Sequence, residues 1–75
     1  MTIKAELRQW RRSSQQEDGK EYVGGHVYND PIGDPDGKHV TMLGVITDCG
    51  TFYLFKTTMF AYRMEKNEEY KSGLA

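Results

Sequence analysis

The sequence predicts a mainly β fold, either a small five-stranded SH3-like barrel or a strongly bent antiparallel sheet. Residues 28–37, Tyr-Asn-Asp-Pro-Ile-Gly-Asp-Pro-Asp-Gly, hold both prolines and so exclude a helix or the middle of a strand. The segments on either side alternate apolar and polar residues, or are rich in β-branched and aromatic ones. Asp18-Gly19 adds a hairpin turn signal between two such segments. The competing architecture is α+β, with one N-terminal helix packed on a three- or four-stranded sheet.

The first strand is expected over residues 2–9, where Ile3, Ala5 and Leu7 alternate with Lys4, Glu6 and Arg8. A helix competes here, because Ile3, Leu7 and Trp10 also fall at i, i+4 and i+7. Ser13-Ser14-Gln15-Gln16 reads as the polar, frayed end of the hairpin. The second strand is Glu21–Tyr28, and its Gly24-Gly25 pair suggests a bulge or bend. After the proline-rich loop, Lys38–Thr47 is apolar on both faces, as a central strand would be. Asp48-Cys49-Gly50 is a turn. Residues 51–64 favour strands throughout but are too long for one, so a break is expected near Thr57-Thr58. These elements make residues 1–64 a single β domain and residues 65–75 a charged C-terminal tail.

A chain of 75 residues supports one small core and leaves little room for an enclosed active site. The net charge of −1 with 28% charged residues excludes a polybasic protein and an acidic disordered tail. Charge is nonetheless segregated. Lys4, Arg8, Arg11 and Arg12 face only Glu6 in the first segment, whereas Asp30, Asp34, Asp36 and Asp48 face only Lys38 later. Cys49 is the sole cysteine, so no internal disulfide forms. The N-terminus has no apolar run like that of a signal peptide, no stretch reads as a membrane span, and a cytoplasmic location is expected.

Gly25-His26-Val27-Tyr28-Asn29-Asp30-Pro31, then Asp36-Gly37 and a β-branched strand, then Lys56-Thr57-Thr58 leading into Tyr62-Arg63-Met64, resembles a group of short uncharacterised bacterial and phage β proteins. Those carry a Gly-x-Val-Tyr-x-x-Pro stretch, an Asp-Gly and a Thr-rich strand ending in a Tyr-x-Leu-like triplet. The resemblance spans residues 22–64; Met64 stands where the pattern prefers leucine, and Met42-Leu43 replaces its usual Thr-Ser. It implies a β fold and a mobile-element or phage accessory origin, and brings no activity with it.

Chemistry-bearing residues are few. Asp30, Asp34 and Asp36 could gather around a cation, but an EF-hand register fails because Ile32 and Leu43 would occupy its first and last ligand positions. Turn-forming aspartates explain the pattern better. His26, His39 and Cys49 lack the close ligand pairs of a structural zinc site. A Cys49–His nucleophile lacks a following helix to build an oxyanion hole. There are no paired glutamates, no phosphate loop and no nucleotide-binding glycine motif. The sequence therefore predicts no enzyme, no cofactor and no metal.

Aromatic residues make up 12% of the chain, more than so small a core can hold. Phe52 and Leu54 share one face of their strand, Tyr53 and Phe55 the other, so one aromatic face is expected outside. In a regular strand Trp10 joins Arg8 and Arg12 on the polar face. The expected binding surface is Arg8, Trp10, Arg12, Tyr53 and Phe55. Alternatively, Trp10 closes one barrel end with its indole N–H bonded and the arginines stacked outside. The main expectation is a non-enzymatic protein-interaction module with an unidentified protein partner, or a homodimer joined through strand edges or aromatic faces. Nucleic-acid binding by the basic N-terminal strand is a second reading, opposed by a pI near 6.1. A small-ligand or metal site at Tyr28, Asp30, Asp34 and Asp36 is a third.

Overall fold

The computed structural model describes residues 4–69. In chain order the strands are β1 (Glu6–Glu17), β2 (Lys20–Tyr28), β3 (Lys38–Asp48), β4 (Phe52–Lys56) and β5 (Ala61–Glu65), followed by a 3₁₀ turn at Lys66–Glu68. They form a closed barrel. Consecutive strands are antiparallel, so an odd number of strands can close only through one parallel seam. That seam pairs Glu6 with Arg63 and Leu7 with Met64. Arg63 N donates to Ala5 O at 2.9 Å, and a parallel bridge between Trp10 and Glu69 extends the seam. The fold is thus the mainly β barrel, and residues 6–17 are strand rather than helix.

Local chemistry explains most elements. Asp18 (φ 52) and Gly19 (φ 77) both adopt positive φ, the requirement of a type I′ turn, and Glu17 pairs directly with Lys20. Strand pairing therefore reaches past Ser13–Gln16, which was expected to fray. At the other predicted break, Thr57 Oγ1 donates to Phe60 O (2.8 Å) and accepts from Phe60 N (3.1 Å), turning the chain from β4 into β5.

The irregularity expected at Gly24-Gly25 lies instead on the partner strand. Arg8 pairs with His26 and Arg11 with Gly24, so Gln9 and Trp10 together oppose Gly25. Gln9, at φ 49, absorbs the extra residue as a β-bulge. The bulge resets the inside–outside alternation by one step, so Leu7 and Trp10 both point inward. A Cβ on Gly25 would sit 3.0 Å from Trp10 Cβ, which is why this position lacks one.

The core consists of Ala5, Leu7, Trp10, Val23, Val27, Phe55, Tyr62 and Met64. Val40, Met42 and Ile46 of β3 pack against it. Residues 65–69, assigned to the tail by composition, continue the domain: Glu65 ends β5 and Glu69 bridges to β1. The remainder of the expected tail, with Tyr70, lies outside the described residues, as does Ile3. Among the described residues no helix is long and apolar enough to cross a membrane.

Candidate functional site

The structure dissolves the expected Arg–aromatic surface. Trp10 and Phe55 are both 0% exposed and cannot serve as surface anchors. Trp10 Nε1 donates to Glu65 O at 3.0 Å. The bulge also places Arg8 and Arg12 on opposite faces of β1, across from His26 and the buried Val23 respectively. Arg8 stacks over Tyr28 at 4.4 Å and pairs with Glu6 at 3.3 Å. Arg12 and Lys66 each lie 4.8 Å from the Tyr53 ring, which meets Trp10 edge-on at 5.6 Å. Lys66 bridges to Asp48 at 2.8 Å. That ammonium, together with the Gly50 N–H, holds the Asp48 carboxyl below the usual carboxylate range. Tyr53 is therefore a half-buried plug over Trp10, roofed by cations. The alternative reading, a tryptophan closing the barrel end beneath a stacked arginine, describes this arrangement.

The carboxylates of loop 28–37 are committed within the protein. Asp30 is buried, and its Oδ1 accepts from Ile32 N (3.0 Å) and from the Tyr62 hydroxyl (3.1 Å). Asp36 Oδ1 accepts from Asn29 N at 2.9 Å, and Asp34 Oδ1 from Lys38 Nζ at 3.0 Å. The Lys38 bond lowers the Asp34 pKa. Among the described residues no three His, Cys, Asp or Glu side chains gather as a metal-binding group. These aspartates build turns. Tyr28 lies under Arg8 rather than opening a ligand pocket.

Tyr62 yields a pH prediction. Burial, then the Asp30 carboxylate, pushes its pKa from 10 up to about 12. The unfolded tyrosine ionises first, so the stability this group confers is complete below pH 10 and drains away as pH rises towards 12. The loss should be about 2 kcal/mol. Urea midpoints at pH values spanning this window should fall more steeply for the parent than for Tyr62→Phe. Equal slopes would remove the buried Tyr62–Asp30 contact from the account.

One feature escaped the sequence. Ile32, in the loop after β2, is 59% exposed, and Met59, in the β4–β5 turn, is 74% exposed. Both line a single groove of about 260 Å³, with Met42, Leu43 and Phe60 as its floor and wall. Through Leu43, Thr57 and Thr58 it continues into a second hollow of about 180 Å³ beside Val45, edged by Lys20 and Lys56. Among the described residues no carboxylate lines either part. The available signal was an isoleucine inside a polar loop and a methionine at a strand break, residues with no sheet face to occupy. Comparison with protein-family models, with curated proteins and with solved structures returns no match.

Proposed function

We propose that this chain is a non-enzymatic protein-binding module whose recognition surface is the Ile32–Met59 groove. The observation that carries this reading is convergence. Single exposed apolar side chains are ordinary on any protein surface, but here the two most exposed large ones among the described residues come from different loops and flank one groove. The occupant that fits is a short apolar segment of another protein with a flanking Asp or Glu, because Lys20 and Lys56 edge the groove and none of its described lining residues is acidic. A phage or mobile-element accessory role in the cytoplasm accords with the resemblance over residues 22–64 and with the unpaired, exposed Cys49.

The alternatives lose support. Arg8 and Arg12 diverge and stack on tyrosines, which breaks up a basic strip for nucleic acid. The loop carboxylates are already bonded, and the largest aromatics are interior, which counts against an aromatic-face dimer.

Ile32→Asp and Met59→Asp should each weaken binding of an apolar–acidic peptide selected from an array by at least about 30-fold, the effect of an interface hot spot. Because both side chains are exposed, melting temperatures should stay near the parent's. Unchanged affinity in both variants would refute the groove. A salt-sensitive oligonucleotide shift lost in Arg8→Ala/Arg12→Ala would move the assignment to nucleic acid.

A further inference from the structure

A second groove, of about 210 Å³, lies on the outer face of β1–β3 and is lined by Gln9, Arg11, Gly24, His26 and His39. It shares no lining residue with the Ile32–Met59 groove, so it stands or falls independently of the proposed function. His26 and His39 are direct cross-strand partners, with ring centroids 5.3 Å apart and planes at 73°. Thirteen positions separate them in sequence; the β2–β3 register brings them together.

From these residues we infer a transition-metal site in which His26 and His39 chelate one divalent ion of the zinc, nickel or copper class through their imidazoles. The spacing suits such a chelate. A zinc-bound imidazole nitrogen lies about 2.0–2.1 Å from the metal, which puts the ring centre about 3.2 Å away; two tetrahedral imidazoles then have centroids about 5.2 Å apart. Imidazole selects these ions over calcium or magnesium, which take oxygen.

Two further observations bear on the histidines. His26 Nδ1 is buried without a hydrogen-bond partner, so no bond at that nitrogen fixes the ring's orientation. Rotation about χ2 reorients its nitrogens without moving the backbone. On the other side, His39 Nε2 lies 3.8 Å from where a Cβ on residue 24 would be; glycine leaves that nitrogen uncovered, with Thr41 Oγ1 beside the same point at 3.6 Å. Two protein ligands leave the remaining coordination positions to water or to an exogenous donor, one more open position than a three-ligand catalytic zinc site has. Arg11 lines the groove as a cation and sets a limit on affinity.

The test uses the tag-free full chain carrying Cys49→Ser, because the exposed thiol would bind the same metals. Calorimetric titration with nickel and zinc chlorides should show saturable uptake and a metal-dependent rise in melting temperature. Electron paramagnetic resonance with copper(II) should report two coordinated nitrogens. His26→Ala and His39→Ala should each weaken binding at least about tenfold, since even outer-shell losses reach that size, and leave one nitrogen on copper. His39 is exposed, so its variant should fold like the parent and keep the comparison clean. Absent uptake, or equal affinity in His39→Ala, overturns the site.

Discussion

Replacing Trp10 with alanine should cost roughly 3–5 kcal/mol, the range for removing a buried aromatic side chain. A domain of this size holds only about 4–11 kcal/mol in total, so the variant should be largely unfolded or close to it. Two losses combine. The indole is the largest fully buried side chain, packed over Gly25 and under Tyr53. Its N–H is also a hydrogen-bond donor to Glu65 O, an acceptor next to the β1–β5 seam. Trp10→Phe keeps most of the volume but not the bond, and should lose about 1–3 kcal/mol. Arg8→Ala, which removes an exposed cation from an ion pair, should change stability by less than about 1 kcal/mol. Urea denaturation followed by circular dichroism ranks the three. A Trp10→Ala domain as stable as Arg8→Ala would place the indole outside the core.

Among the described glycines, Gly44 is where an added methyl should do the most damage. Gly44 is the last residue of β3 paired with β2 (Glu21), and Val45 the first paired with β4 (Lys56), so the strand changes partners there. A Cβ would press into the Lys56 carbonyl oxygen, 3.0 Å from its carbon and 3.1 Å from Phe55 Cε1. The obstacle is mainly backbone, which no rotamer change relieves. Overpacking of this kind typically costs 1–3 kcal/mol, about the upper figure here because β4 must move off β3. Gly24→Ala supplies the contrast. Its Cβ meets only ordinary contacts at 3.6–3.8 Å, so that change should be tolerated within about 1 kcal/mol. Thermal melts of the two variants should therefore diverge by many degrees. Similar melting temperatures would mean that β3 does not switch partners at Gly44.

What the sequence conveyed was local and what it hid was relational. Asp18-Gly19, the loop 28–37 and the Thr57-Thr58 break write their own turns, so strand order and number were readable. Gln9 was not: nothing about glutamine announces positive φ, yet that one residue reverses the direction of Trp10. Alternation put Tyr53 and Phe55 on one face correctly but could not give depth; Phe55 is buried and Tyr53 sits at the barrel mouth. Charge composition placed residues 65–69 outside the domain because backbone bridging to Trp10 leaves no compositional mark. The Tyr62–Asp30 bond, the facing histidines and the Ile32–Met59 groove each join residues from separate segments, a property of register and closure.

The most direct test of barrel closure around Trp10 is solution NMR of the indole N–H and the β1–β5 seam. The structure requires a slowly exchanging Trp10 Hε1, cross-peaks from the indole to Glu65, and cross-strand peaks between Leu7 and Met64. An indole proton that exchanges as fast as a free one, with no Leu7–Met64 contacts, would mean an open sheet carrying Trp10 on its surface.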